Sequence, residues 1–314
     1  MASNKVIFPK QHIMQSFLKY NDKKSLKSLD SKIIKVTSSK SCQAFTLIEL
    51  SVVLIIISLL IGSFMGAETI LNNARYKNAQ KLTQAAPITG FYNDEMQSSA
   101  LAWFDILDEN SITIANDKVT AWHSKISNHI MAQATTNDQP SYLSNAHKNF
   151  PAIDFDGSGV FLESNHIIAK GDDTYTLSAV TIVDTNGMIF NQEANPATNG
   201  ERAAIRYQNS AFIFNGHNND VSSSLGVTGR IYAITITVDN GAIAIYVNND
   251  IVTGNLNAET LNISTDYTVL GKHNATSSGD LDGQIFEVAI FDKALSETEA
   301  KQLQDYFIKK YSID

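Results

Sequence analysis

Residues 45–67 read FTLIELSVVLIIISLLIGSFMGA, an apolar run broken by one ionisable side chain, Glu49. As a helix rising 1.5 Å per residue, a run of this length reaches about 35 Å, enough to cross a hydrocarbon core of about 30 Å. Helices of soluble cores seldom stay apolar on every face for so long, and a secretory signal has a shorter apolar region nearer the N-terminus. The stretch therefore reads as a membrane-spanning helix. Residues 1–44 hold nine Lys against Asp22 and Asp30, and such a basic flank keeps its end cytoplasmic, which puts everything after Ala67 outside. Glu49 lies one turn into the run, where an unpaired carboxylate is costly, so it needs a compensating partner.

The formal net charge of −8 divides into +7 for residues 1–44 and −15 for the remainder, 15 basic against 30 acidic side chains. Nucleic-acid affinity rests on Lys and Arg neutralising phosphates, so an acidic body argues against DNA or RNA as a partner. With 43% hydrophobic residues the chain can build a sizeable core. The single cysteine, Cys42, falls in the basic segment, which leaves the rest without disulfides, thiol chemistry or cysteine-based zinc sites.

Ala44-Phe45-Thr46-Leu47-Ile48-Glu49-Leu50, followed by Ser51-Val52-Val53-Leu54-Ile55-Ile56-Ile57, resembles the N-terminus of type IV pilins and type II secretion pseudopilins. The resemblance implies that residues 1–44 are a leader removed by a prepilin peptidase between Ala44 and Phe45, and that the new amine of Phe45 is N-methylated. It implies a filament-assembly role for Thr46 and Glu49, with the Glu49 carboxylate meeting the N-terminal amine of a neighbouring subunit. Other pilin or pseudopilin subunits, the peptidase and the bacterial inner membrane are then the partners. The chain departs from the family at three points. Ala44 stands where Gly is usual, the leader is long, with Met14 as a second candidate start, and Gly66, with Gly62 one turn earlier, stands where many major pilins bend at a proline. These departures favour a minor pilin or pseudopilin.

Past Gly66 the pattern turns amphipathic, with Ile70, Leu71, Ala74, Ala79, Leu82 and Ala86 on one side. Pro87 and Gly90 end that helix. Residues 45–97 thus form a helix and connector, and residues 98–314 a separate domain. From residue 100 short apolar runs alternate with turn signals, the mark of an antiparallel sandwich. Strands are expected at 101–107, 118–123, 152–155, 160–163, 175–183, 203–207, 211–214, 231–238, 242–247, 267–270 and 283–291, with Asp239-Asn240-Gly241 as a hairpin turn. Ser296 and Glu299 read as a capping box opening a short last helix, with Ala300, Leu303, Phe307 and Tyr311 on one face. The expected class is α+β: a long N-terminal membrane-spanning helix, an antiparallel β-sandwich and a short C-terminal helix.

Leu101-Ala102-Trp103-Phe104-Asp105, Val119-Thr120-Ala121-Trp122, Phe150 to Gly157, and Leu281 to Phe291 leading into Ala294-Leu295-Ser296 resemble laminin-G-like and concanavalin A-like jelly rolls of bacterial surface proteins. That resemblance implies recognition of a surface glycan or protein, sometimes through calcium, for which Asp154, Asp156, Asp280 and Asp282 supply hard oxygen ligands. Without an EF-hand spacing these aspartates also read as turn residues flanking strands, and no other cofactor is expected. Asn215, His217, Asn218, Asn219 and Asp220 form a polar loop, where recognition residues tend to sit. Trp103 and Trp122 read as core. No H-E-x-x-H, G-x-S-x-G or phosphate-binding glycine loop occurs. Glu163 and Glu287 are carboxylates on strands, though no spacing marks them as a glycosidase pair.

The leading expectation is a non-enzymatic filament subunit displaying a recognition domain. A membrane-anchored glycan-binding adhesin and a tethered glycan hydrolase are the alternatives.

Overall fold

Five two-residue turns set the β-architecture. Asn116–Asp117, Lys148–Asn149, Asn209–Ser210, Asn240–Gly241 and Asn248–Asn249 all carry positive φ at both positions, the backbone of type I′ hairpins, whose twist matches that of paired strands. The computed structural model of the chain describes residues 46–314 apart from 169–170, 172–173, 194–199, 219, 224–225, 257–262, 264–266 and 274–278, and apart from the side chains of 63–66 and 68. Ala44, Phe45 and the leader lie outside the described residues.

Helix α1 spans Leu47–Gln84 and is followed by a 3-10 turn, Pro87–Gly90. The strands are β1 (Ala100–Asp105), β2 (Ile112–Ala115), β3 (Lys118–His123), β4 (Ile130–Ala132), β5 (Ser141–His147), β6 (Phe150–Asp156), β7 (Leu162–Ser164), β8 (Thr174–Val183), β9 (Gly187–Glu193), β10 (Arg202–Gln208), β11 (Ala211–Asn215), β12 (Asp220–Ser222), β13 (Ile231–Asp239), β14 (Ala242–Val247), β15 (Asp250–Asn255), β16 (Tyr267–Leu270) and β17 (Asp282–Phe291). Helix α2 (Glu297–Tyr311) follows. All pairings are antiparallel. One layer runs β1-β17-β8-β13-β14-β15, with β6 sharing an edge of β17 with β1. The other runs β2-β3-β4-β7-β16-β9-β10-β11-β12. The result is an antiparallel jelly-roll sandwich with a C-terminal helix, as expected. The strands β2, β4, β5, β9, β12 and β15 extend the expected set.

The chain divides into two compact units, residues 1–57 and 58–314. In the first, Thr46 caps α1. Its backbone N–H and hydroxyl donate to Glu49 Oε2 at 2.8 and 3.0 Å, and Glu49 N–H donates to Thr46 Oγ1 at 3.2 Å. This reciprocal capping box satisfies helix-end donors that would otherwise be orphaned. Among the described residues no helix is long and apolar enough to cross a membrane. Within the apolar run the side chains of 63–66 lie outside the described residues, and its large members from Leu47 to Ile61 are exposed.

In the second unit the core includes Ala79, Ile88 and Phe91, all preceding residue 98. Phe91 packs edge-on against Phe291 at 5.8 Å. Ile70 and Leu71, expected on the packed stripe, are exposed, so the helix packs only from about Tyr76 onward, where Tyr76 and Leu82 lie against the core. Tyr76 donates to Glu109 Oε1 at 3.3 Å, and its phenol is pushed up to about 12 by burial and by that carboxylate. Helix α2 opens with the expected capping box at Ser296 and Glu299.

Tight packing allows one glycine no substitute. Gly271 has φ +85°, and a methyl group built on it overlaps the Phe155 ring in the core. Gly271→Ala adds left-handed strain to overpacking and should destabilise the domain by about 3 kcal/mol. A shift of that size in the urea midpoint at unchanged slope is the check.

Candidate functional site

The outer face of the second layer carries a polar row set by register. Ala132 pairs with Glu163, Glu163 with Val269, Val269 with Asn191, Asn191 with Ala204, Ala204 with Asn215, and Asn215 with Asp220. Residues paired across strands share a face, so these seven positions cross the sheet together. A neighbouring row joins Tyr267, Glu193 and Arg202.

At the β9–β11 end the row contains a buried charged cluster. Arg202 donates through Nε to Glu193 Oε2 at 2.6 Å, and its other nitrogens reach Glu193, Asn215 Oδ1 and His273 Nε2. Asn191 Nδ2 donates to Glu193 Oε1 at 2.9 Å. A guanidinium only donates, so the His273 nitrogen facing it accepts, which is the neutral imidazole. Burial lowers the His273 pKa, with Glu193 opposing and Arg202 reinforcing that shift. The cluster fixes the loop beside it: Asn215 Nδ2 donates to Asp220 Oδ2 at 2.8 Å and Gly216 N–H to Asp220 Oδ1 at 3.1 Å. His217 and Asn218 turn with φ +56° and +67°, and His217 Nδ1 is buried without a hydrogen-bond partner among the described residues. The structure thus brings Asn215, His217, Asn218 and Asp220 together. Asn191, Glu193, Arg202 and His273, which support them, escape sequence reading.

At the other end of the row lies a cleft of about 780 Å³ lined by His129, Ile130, Glu163, Ser164, Asn165 and Tyr267, among others. Its size suits a small ligand, and its rim mixes acceptors, donors and an aromatic ring, the combination that orients a polyhydroxylated molecule. Burial, with help from His166, lowers the His129 pKa. Glu163 and Asp220 are five strand spacings apart, about 24 Å, so loop and cleft are separate places on one face.

Glu287 does not join Glu163. It is fully buried, and its carboxylate accepts from Trp103 Nε1 (2.7 Å), Tyr306 OH (2.9 Å), Tyr311 OH (2.8 Å) and Lys310 Nζ (2.7 Å). Trp103 and Trp122 are core residues, at 6% and 0% exposure.

Asp156 pairs with Asp282, and Gln284 with Asp154, across β6 and β17. Strand pairing therefore brings Asp154 and Asp156 beside Asp282, with Asp184 nearby, while Asp280 lies outside the paired strands. Two acceptor oxygens are already used locally: Asp156 Oδ1 by Ser158 N–H and hydroxyl (2.9 and 2.5 Å), Asp154 Oδ1 by Gln284 Nε2 (3.3 Å). Among the described residues no group of three or more His, Cys, Asp or Glu is placed to hold a metal ion. Burial, then repulsion from Asp156, Asp282 and Asp184, raises the Asp154 pKa against the opposing Gln284 bond. A carboxyl raised on folding contributes stability below its unfolded pKa and loses it as pH rises through the folded value. Asp154→Asn should therefore raise stability at neutral pH, read as a higher thermal midpoint, by under ~1 kcal/mol because solvent screens the group. The gain should vanish near pH ~3. A loss that appears only with added calcium would instead assign these carboxylates to a metal.

Comparison with known proteins finds two families on the chain. Residues 39–65 match the prokaryotic N-terminal methylation motif, and residues 154–301 match the laminin G type of the concanavalin A-like lectin/glucanase superfamily. No curated protein matches the chain. Among solved structures, an arabinofuranosidase complexed with arabinofuranosyl-α-1,2-xylobiose has a TM-score of 0.52 at 13% identity, over 62% of this chain and 51% of its own. A GH54 α-L-arabinofuranosidase has 0.51 at 14%, over 62% and 51%. The binding domain of Paraclostridial Mosquitocidal Protein 1 has 0.51 at 13%, over 67% and 52%. At these identities the likeness is one of fold, and the chain spans about half the length of each.

Proposed function

We propose that this chain, which joins a prepilin methylation motif to a concanavalin A-like domain, is a minor pilin or pseudopilin-type subunit of a type IV pilus or type II secretion filament. The prepilin motif makes prepilin peptidase and other pilins its partners. In this reading residues 45–67 span the inner membrane with the N-terminus cytoplasmic, and the β-domain lies outside until assembly carries it into the filament. The observation that carries the proposal is the methylation motif at 39–65 on the same chain as the β-domain. The capping box adds a physical detail: Glu49 starts the helix in one subunit and meets the Phe45 amine of the next in the filament.

Glutamine can fill a capping box but cannot pair with an amine as a charge. Glu49→Gln and Glu49→Leu should both insert into the membrane like wild type. Both should be depleted from sheared surface filaments by about tenfold or more, leucine more severely. Full incorporation of the glutamine variant would reduce Glu49 to a helix cap, and an N-terminus other than Phe45 on the mature chain would remove the processing step.

The β-domain serves recognition in this proposal, with the Glu163–Tyr267 cleft as the site and a glycan as the ligand class. Support comes from Glu287, whose burial leaves Glu163 without that carboxylate as a hydrolytic partner. On a glycan array the full chain should bind a defined saccharide class, and Glu163→Ala should lose it while unfolding at the same temperature, since Glu163 is exposed. Release of reducing sugar from the bound glycan would favour the tethered hydrolase. Binding by the intact chain without filament incorporation would favour the membrane-anchored adhesin.

A further inference from the structure

Beneath α2, Lys310 Nζ lies 2.8 Å from Asp105 Oδ1 and 2.7 Å from Glu287 Oε2, and all three side chains are fully buried. The rings of Tyr306 and Tyr311 flank the nitrogen at 5.3 and 5.2 Å, and the Tyr306 hydroxyl accepts from it at 3.0 Å. We propose that Lys310 and Asp105 condense to an intramolecular amide, with Glu287 relaying the proton.

The geometry meets each requirement of that step. An amine held against one carboxyl oxygen has the carboxyl carbon one bond further on, and such confinement replaces the entropy of a bimolecular encounter. Leu107 N–H donates to Asp105 Oδ1 at 3.0 Å and Thr83 Oγ1 to Oδ2 at 3.2 Å. These two fixed donors stabilise charge on the oxygens when the carbon becomes tetrahedral. The dry, aromatic surroundings disfavour separated charges, and burial raises the Glu287 pKa.

The step balances without an added reagent. One proton passes from the Lys310 ammonium to the Asp105 carboxylate, leaving amine and carboxylic acid. The nitrogen lone pair forms a bond to Cγ. Glu287 Oε2 takes a second proton from nitrogen and returns it to the hydroxyl on Cγ. The bond from Cγ to Oδ1, the oxygen that received the protons, breaks, water leaves, and the amide retains Oδ2, held by Thr83. The site keeps only the charge of Glu287, so a lysine shared by two carboxylates becomes a covalent tie between β1 and α2.

Trypsin decides the matter on the full chain. Cleavage after Lys81 and Lys118 gives fragment 82–118, which contains Asp105, and cleavage after Lys309 gives 310–314. Mass spectrometry should find these two fragments joined, at their summed mass less one water. Glu287→Gln, whose amide cannot relay the proton, should yield 82–118 unlinked and, with Lys310 open to trypsin, 311–314, while its near-ultraviolet circular dichroism matches wild type. Separate fragments from folded wild-type protein would overturn the proposal. A wild-type level of linkage in Glu287→Gln would overturn the relay. If that variant does not fold, the wild-type digest alone decides whether the amide exists.

Discussion

One ammonium between two carboxylates, all three side chains fully buried, is the constraint on which the second compact unit depends. Removing such charges from water costs several kcal/mol per ion, and only near-complete hydrogen bonding offsets it. Here the offset is detailed. Lys310 donates to Glu287 and to the Tyr306 hydroxyl, and its nitrogen lies 2.8 Å from Asp105 Oδ1. Glu287 also accepts from Trp103 and Tyr311, and Asp105 from Thr83 and the Leu107 N–H. The contributors come from α1, β1, β17 and α2. Loss of α2 would leave both carboxylates without their cation, and loss of the end of α1 would take a donor from Asp105, so both helices contribute to the centre. The same logic extends along β8 and β13. Ser178 and Thr235 share a hydrogen bond at 2.8 Å, Thr176 links Lys293 and Leu295, and Gln304 reaches down to Thr235. The sheet face beneath α2 is thus buried yet polar.

That polar layer explains what sequence could and could not reveal. Strands with one wet face announce themselves by alternation, and 118–123, 242–247 and 267–270 were legible to the residue. Strand β9 was not, because its last three residues, Asn191, Gln192 and Glu193, read as a loop. Two of the three find partners elsewhere, since Arg202 holds Glu193 and Gln192 is bonded to Thr268 and the 167–168 backbone, and Asn191 bonds Glu193 on its own strand. Edge strand β15 is mostly exposed and lacks an apolar stripe. The Asn-rich turns, by contrast, mark hairpins even where only Asp239-Asn240-Gly241 was recognised, since Asn tolerates positive φ.

The site was less legible than the fold. A period of two tells which residues share a sheet face, not whether a helix covers it. Glu163 and Glu287 both sit on strands, but one rims a cleft and the other lies under α2. Asp154 and Asp282 look remote in sequence until β6 and β17 pair. Thr46-Leu47-Ile48-Glu49 has the spacing of Ser296-Glu297-Thr298-Glu299, and the apolar run around it concealed the shared capping role.

The Lys310 centre also bears on how a filament subunit would carry load. In the second unit, helix residues 76–84 reach the sandwich through Tyr76 on Glu109, Ala79 in the core and Thr83 on Asp105. Asp105 belongs to β1, which is hydrogen-bonded along its length to β17, and β17 pairs with β8 on its other edge. Tension on that helix would therefore enter the sheet at a strand clamped from above by α2 through Lys310, and not at a loose edge such as β15. Strands pulled in shear must break several ladder bonds at once, whereas an edge strand peels one bond at a time. A buried centre that costs stability when incomplete, and that the proposed amide would make covalent, is thus well placed where the helix meets the sheet, because it makes helix, strand and C-terminus yield together or not at all.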